Sequence, residues 1–479
     1  MASKVVVTKS KLNNIGDAIR EKLGKTQQYS LDEMPVKIRA ISGSGSSSGA
    51  TVTITTETED FYGKVVTLTD GADTMTARFS NSGVAVFNGV DMEGMLTASV
   101  AGGGATVETT VAVQTHYNIP LDAEQEIYGV LWDGSSSSAF ARTDLATDFP
   151  DAVVYKGSGN YNSPFDNIYP WSEMVKEEDA DCGTMVKIPK FYYKLNKMGD
   201  SLKLQIAPRK YSGFRTCPAC ADRGDGHGER DYILVSRYFC SQDTYKSQTG
   251  TRVAGSENMS TLRTHIHDLG SNVYMFDYAA LITIQMLYLV EFANWDVQSQ
   301  IGWGCAGWNS DVNGGTDKHP YCTSSSGTAG RTWVQYRNIE NLWSQALWFV
   351  DGIRYVGKKV YVYLNPSEYD DLNKGTYVGD KVTTDGYIKS FEPATISGYE
   401  WVLIPTDSTA DETTSYVCDY IWYNQTDTRL SVGAFEGSTY TSYNDHGKTV
   451  NKVGLFHQDG TDEHWTSELG TARIMKLPS

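Results

Sequence analysis

Ile339-Glu-Asn-Leu-Trp343, continued by Leu347-Trp-Phe-Val-Asp-Gly352 and closed far downstream by Gly470-Thr-Ala-Arg-Ile474, frames the reading of this chain. Between the second and third of these motifs lies a segment of different character, 416–473. It carries Tyr420, Trp422 and Tyr423, then Tyr440, Tyr443, Asn444 and His446, then His457, Asp459, His464 and Trp465. Few aliphatic residues and few Lys or Arg interrupt them. The last stretch of a folded domain normally supplies core residues at a period of 2 or 3.6, and most of this one does neither. Its composition is that of a paratope, with rigid amphipathic rings for contact area and small polar groups for adaptable hydrogen bonds. The residues just named are therefore the candidate contact surface: aromatic faces stack on sugar rings or fill pockets, while Asn, Asp and His fix orientation. Strand alternation turns some side chains inward, so Ile421 and either Trp422 or Tyr423 are expected in the core. Leu430, Val432, Leu455, Phe456 and Ile474 are read as further anchors.

At 479 residues the chain exceeds one ordinary core, and two to four domains are expected. A net charge of −17 argues against a nucleic-acid binder, because phosphate neutralisation needs a basic face. The charge is uneven. Residues 1–41 hold eight Lys or Arg against four Asp or Glu, whereas 401–479 hold five against eleven, so the two ends are expected to meet different partners. The opening Met1-Ala-Ser-Lys-Val-Val-Val reads as a strand-like start without a signal-type apolar region, which points to cytosolic synthesis. The apolar run Tyr274–Trp295 contains Asp277, Gln285 and Glu291 and reads as a buried globular helix rather than a membrane span. Seven cysteines at wide spacing do not read as a disulfide framework.

Two amphipathic helices are expected in 1–42, one with Leu12, Ile15, Ile19 and Leu23 on a stripe, the other with Leu31, Met34, Ile38 and Ile41. Helices so short do not bury their stripes alone: they require copies of themselves or another protein, the alternative being a small cap on the next domain. A Gly/Ser linker follows over 43–50. Residues 51–116 alternate in short runs punctuated by Asp70-Gly71, Asn81-Ser-Gly83, Asn88-Gly89 and Gly102-Gly-Gly104, the pattern of a six- or seven-stranded sandwich with a mechanical role. From 117 to 479 the texture is aromatic-rich with long loops and reads as one large domain. Its expected elements include strands at Ile127–Trp132 and Met185–Lys194, a Gly- and charge-rich loop at Arg215–Glu229, and a core helix at Asp277–Phe292.

Leu12-Asn-Asn-Ile-Gly-Asp-Ala-Ile-Arg-Glu-Lys-Leu-Gly-Lys-Thr26, followed by Met34-Pro-Val-Lys-Ile-Arg-Ala-Ile41, resembles the start of tail proteins of phages that infect gut bacteria. That resemblance implies a segment attaching the protein to the virion through a tail or baseplate protein. The motifs quoted at the outset resemble the C-type-lectin fold of the formylglycine-generating-enzyme type. Val186-Lys-Ile-Pro-Lys-Phe-Tyr-Tyr193 and Leu287-Tyr-Leu-Val-Glu-Phe-Ala-Asn-Trp-Asp296 are similar, more narrowly, to phage tail proteins with that fold. The family includes variable proteins diversified by retroelements, whose binding face precedes a Gly-x-x-Arg terminus. Several separated motifs in order, from Tyr128 to Leu477, are more specific than one. The resemblance implies display of 416–473 on a ligand-binding surface, in a homotrimer.

Three chemical readings compete with adhesion. Cys217-Pro-Ala-Cys220 with His227 and Cys240 has ligand types for zinc, the alternative being a free thiol pair or a local disulfide. Formylglycine-generating enzymes oxidise with two thiols near the C-terminus, and here only Cys418 lies beyond Cys322; Ser344-Gln345 stands where they have Gly-Asn, which puts their calcium site in doubt. A glycan hydrolase requires two carboxylates about 5–10 Å apart, for which Asp459, Asp462 and Glu463 are candidates, although such acidic loops are usually solvated. The expected architecture is α+β: a short helical segment, a small all-β immunoglobulin-like sandwich and a C-type-lectin-fold head. The expected function is that of a phage tail-tip receptor-binding protein on the virion, recognising a host-surface glycan or protein, with no catalytic residues, metal or cofactor, no nucleic acid and no membrane insertion. A bacterial surface lectin-like adhesin is the alternative.

Overall fold

The structure is a computed structural model. It describes residues 50–478 except 71–72, 91–93, 102–105, 112–115, 122–124, 156–159, 256, 303–311, 318–332, 344–346, 357–358, 370–372, 381, 383, 385, 397–398, 411–419, 423–427, 434–454, 457 and 462–470. The two helices expected in 1–42 and the linker up to Gly49 lie outside the described residues. The chain divides into two compact units, Met1–Gln125 and Glu126–Ser479.

The first unit holds seven strands: β1 Ala50–Thr55, β2 Val65–Thr69, β3 Thr74–Arg78, β4 Val84–Val90, β5 Gly94–Val100, β6 Thr106–Val111 and β7 His116–Pro120. They form a three-stranded sheet, β4-β1-β7, and a four-stranded sheet, β3-β2-β5-β6. Alternation sets the buried faces: Val52 and Ile54 on β1, Val66 and Leu68 on β2, Ala85 and Phe87 on β4. Phe61 and Phe79 add a stacked pair 6.4 Å apart. Three features differ from the sequence reading. Asn88-Gly89 does not turn a hairpin; it lies inside β4, where three residue steps on β4 match two on β1 and Gly89 has φ +67°, a bulge. β7 runs parallel to β1, and Leu121 N–H donates to the Thr55 carbonyl at 2.8 Å. The boundary therefore moves from 116 to 125. Gly83 is required by close approach, since a Cβ there would meet the Thr56 carbonyl oxygen at 2.1 Å.

The second unit is α+β and mostly sheet. A first five-stranded sheet runs, in spatial order, Lys176–Asp179, Gly183–Pro189, Tyr232–Ser236, Ile474–Lys476, Val273–Met275. A second runs Arg215–Thr216, Tyr192–Met198, Ser201–Ala207, Tyr128–Trp132, Phe140–Asp144. A third, of eight strands, runs Thr376–Asp380, Lys359–Val362, Leu347–Val356, Thr428–Gly433, Gln458–Thr461, Tyr420–Trp422, Gly386–Ile396, Tyr399–Thr409. The single strand expected at Met185–Lys194 is two strands in two different sheets. The chain changes sheet just after Pro189, which has no N–H to offer a continuing ladder.

Helix α1 spans Met259–His267 and helix α2 Tyr278–Phe292. Every residue of α2 is buried, so it has no polar face and serves as the hub of the core. Around its end the sheets meet through rings: Trp295 packs 5.3 Å from Trp132 of the second sheet and 5.5 Å from Phe391 of the third. The three polar residues that excluded a membrane span each have a partner. Asp277 caps α2, its Oδ1 accepting from Ala280 N–H at 2.8 Å, and Gln285 Nε2 donates to the Leu455 carbonyl at 3.0 Å. Glu291 accepts from Tyr336 Oη–H at 2.9 Å and from the Arg337 guanidinium, 3.0 Å from Nε and 2.5 Å from Nη2. No helix among the described residues is long and apolar enough to cross a membrane.

Breaking a buried pair on one side strands the other charge in the core. Arg337→Met, which keeps the stem but removes the guanidinium, is expected to cost about 3–5 kcal/mol in urea unfolding. A loss below about 1 kcal/mol would show that Glu291 is not sealed from water.

Candidate functional site

The polar-aromatic segment enters the eight-stranded sheet at three places. Tyr420–Trp422 lies between Gly386–Ile396 and Gln458–Thr461, and the latter pairs on its other side with Thr428–Gly433. The register sets Ile421 beside Gln458 and Trp422 beside Asp459 in a parallel pair, with Ser431 opposite Asp459 in an antiparallel one. Of the candidate contact residues, Tyr420, Trp422 and Asp459 are thus gathered on two neighbouring strands. Tyr423, Tyr440, Tyr443, Asn444, His446, His457, His464 and Trp465 lie outside the described residues.

The anchors are where the sequence placed them, as far as their side chains are described. Ile421, Leu455, Phe456 and Ile474 are all buried. Phe456 meets Trp295 edge-on at 4.9 Å and Tyr288 at 6.2 Å, so α2 holds this part of the segment by ring packing and by the Gln285 bond to Leu455. Leu430 and Val432 sit on the strand Thr428–Gly433.

The end of the chain proved to be a seam rather than part of the face. Phe349 N–H donates to the Thr471 carbonyl at 3.0 Å, Cys240 N–H to Ala472 at 3.0 Å, and Phe276 N–H to Arg473 at 2.8 Å. Ile474–Lys476 then inserts between two strands of the first sheet. Four residues in a row thereby join the first sheet, the third sheet and the approach to α2. Arg473 at their centre is fully buried. Its Nη2 donates to the Asn341 carbonyl at 2.8 Å and to that of Glu340, and its Nη1 to Ser236 and Arg237 at 3.4 Å each. Its guanidinium lies 4.0 Å from the Phe239 ring centroid and 5.3 Å from that of Trp348. Burial pushes the Arg473 pKa down to about 9, still above neutral pH, so the cation persists. In sequence Arg473 reads only as a terminal signature; no periodicity reports a side chain that meets backbone carbonyls of two distant segments.

Beside the seam, Asp277 Oδ2 accepts from Tyr369 Oη–H at 2.6 Å and pairs with the fully buried Arg223. Burial alone lowers the Arg223 pKa, but Asp277 and Tyr369 outweigh it and hold the value above its ordinary one. The Gly- and charge-rich loop therefore contributes a core cation. Asp351 takes Arg263 bidentately, Nε–Oδ2 at 2.6 Å and Nη2–Oδ1 at 2.9 Å. Next to it Gly352 has φ +72°, and a Cβ there would lie 3.3 Å from the Tyr369 ring, which explains the Asp-Gly of the opening motif.

The four ligands of the zinc reading do not converge. Cys217 and Cys220 are buried in the main core, Cys240 in a separate cluster with Cys182, and His227 is exposed. Cys217-Pro-Ala-Cys220 is a turn, with Cys220 N–H donating to Cys217 at 3.0 Å and Ala219 N–H to Thr283 Oγ1 on α2 at 3.0 Å. Among the described residues no group of three or more His, Cys, Asp or Glu could hold a metal ion. Cys418, Ser344-Gln345, Asp462 and Glu463, which bear on the enzymatic readings, lie outside the described residues.

Burial pushes the Cys182 thiol up to about 12 and raises those of Cys220 and Cys240. Alkylation of native protein at pH 8 followed by peptide mapping is expected to leave Cys182, Cys217, Cys220 and Cys240 unmodified until denaturant is added. Ready labelling of either Cys217 or Cys220 would overturn their placement. Arg473→Lys keeps a charge but not the fork, and is expected to cost at least about 2 kcal/mol in unfolding, since buried carbonyls lose donors.

Comparison of the chain with protein-family models and with curated proteins finds no match, so a function has to be argued from the residues and their arrangement.

Proposed function

We propose that this is a phage tail-tip receptor-binding protein whose C-terminal unit is a C-type-lectin-type head. In this reading 1–42 attaches the chain to a tail or baseplate protein, the small sandwich is an immunoglobulin-like spacer, and 416–470 recognises a ligand on the host surface. The observation that carries it is the division of labour inside the segment. Its described hydrophobic positions, Ile421, Leu455 and Phe456, are buried in the core, and Thr471–Leu477 closes the fold. The Tyr, Asn, Asp, His and Trp residues between them have no aliphatic pattern that would make them core. A recognition loop tied to a rigid scaffold at several points loses less entropy on binding than one held only at its ends.

The mechanism is adhesion without chemistry. Each head binds weakly, and a homotrimer presents tethered copies that raise avidity without new contacts. Retroelement diversification of the face fits its composition, because Tyr, Asn, Ser and Asp on a fixed scaffold vary contact chemistry without touching the anchors.

Replacing Tyr443, His446 and Trp465 together by Ala is expected to abolish adsorption to the host while leaving oligomeric state and Tm unchanged. Undiminished adsorption would remove the face from 416–470. Release of soluble sugar from host envelope by the purified protein would instead favour a hydrolase.

A further inference from the structure

Two Asn-Gly steps occur in the chain, Asn88-Gly89 and Asn313-Gly314. Their local chemistry is the same. In each, the side-chain amide carbon can close a five-membered ring with the backbone nitrogen of the next residue, and glycine carries no Cβ to block that approach. This ring closure is what makes asparagine a thermolabile residue. The fold places the two steps in opposite surroundings.

Asn88 is exposed and stands at the bulge of β4. Between the pairs Ala50–Val90 and Val52–Phe87, Thr51 of β1 alone faces both Asn88 and Gly89, so the ladder is interrupted there. Gly89, at φ +67°, leaves the extended conformation that fixes ordinary strand residues. Asn88 Oδ1 accepts a long hydrogen bond from Thr51 Oγ1, 3.4 Å, on the surface, where water competes for it. The amide is thus wetted, weakly tethered and next to a glycine nitrogen at a break in the ladder.

Asn313 differs on each count. It is 3% exposed. Its Nδ2 donates to the Phe239 carbonyl at 2.9 Å and its backbone N–H to the Thr251 carbonyl at 2.9 Å. The Gly314 nitrogen, which would have to attack, donates to Glu340 Oε1 at 2.8 Å. Turning the Asn313 amide onto that nitrogen breaks bonds that a buried site does not replace with water.

We propose that Asn88 is a self-modification site, converting without an enzyme to aspartate and isoaspartate, while Asn313 is preserved by its surroundings. The Gly89 backbone nitrogen forms a bond to Asn88 Cγ and gives up its proton. The Cγ–Nδ2 bond breaks, and the amide nitrogen leaves with that proton as ammonia. Water then opens the succinimide at either carbonyl. Opening at Cγ gives aspartate in an ordinary main chain; opening at the backbone carbonyl gives isoaspartate, with the chain routed through the side-chain methylene. Nothing is oxidised or reduced, and water is the co-reactant. Either product adds a carboxylate to β4, and isoaspartate also lengthens its main chain by one atom at the bulge.

The test is incubation of the intact protein at pH 9 for several days, followed by digestion and tandem mass spectrometry that localises each mass gain. Asn88 is expected to gain about 1 Da in a fraction that grows with time, as separable aspartate and isoaspartate forms, at least about tenfold faster than Asn313. In guanidinium chloride both steps lose their surroundings, and the two rates are expected to become comparable. Asn88→Gln, whose longer side chain would need a six-membered ring, is expected to abolish the gain at position 88 and leave Asn313 as slow as before. The proposal is overturned if position 88 gains no mass in the folded protein, if Asn313 reacts as fast there, or if the difference in rates persists in guanidinium chloride.

Discussion

The second unit depends on a guanidinium that has been taken out of water. Arg473 is closed in by two aromatic rings and by backbone carbonyls at 236–237 and 340–341, segments more than a hundred residues apart in sequence. Burying a cation is expensive, and here four backbone carbonyls and two ring faces offset the cost while Nε stays without an acceptor. Those acceptors exist only when the first sheet, the hairpin containing Ile339 and the strand of Trp348 are all in place. The C-terminal residues therefore join the first sheet, the third sheet and the approach to α2. The same residues, Thr471 to Lys476, follow directly on the polar-aromatic segment in the chain.

The two ends of α2 follow a similar logic. A helix buried on every side has nowhere to hide a charge, yet Asp277 begins it and Glu291 stands near its end. Each is met by an arginine and a tyrosine from elsewhere: Arg223 and Tyr369 at one end, Arg337 and Tyr336 at the other. Such pairs contribute little net stability compared with a well-packed apolar isostere. What they contribute is position, because a charge-and-hydrogen-bond set is satisfied in one register only. The loop 217–230 and the hairpin 335–340 are docked onto the helix in this way.

Local signals made much of this readable beforehand. Six strands of the first unit, the helix beginning near Asp277 and the core role of Phe456 followed from alternation, from a long apolar run and from residue type. Signals failed where a residue's partner lay far along the chain. Asn88-Gly89 has the chemistry of a turn but was absorbed as a bulge in β4, because β1 supplied a partner on both sides of it. β7 was missed since its pairing with β1 spans the whole unit. Cys217-Pro-Ala-Cys220 has metal spacing, but its thiols are buried in the main core, away from Cys240 and His227. For the candidate face, the anchors were readable and the parallel pairing of Trp422 with Asp459 was not.

The sequence by itself determined the α+β class, six of the seven strands described in the first unit, the buried character of α2 and the anchoring role of Ile421, Leu455 and Phe456. These depend on periodicity and residue chemistry, which neighbours in sequence already express. Only the tertiary structure decided that Arg473 is a core cation, that the strand expected around Pro189 divides between two sheets, and that Arg223 of the charge-rich loop is buried against Asp277. Each of those turns on which carbonyls, carboxylates and rings are brought within about 3–5 Å of a side chain. Long-range closure of the chain sets that list, and no local pattern encodes it.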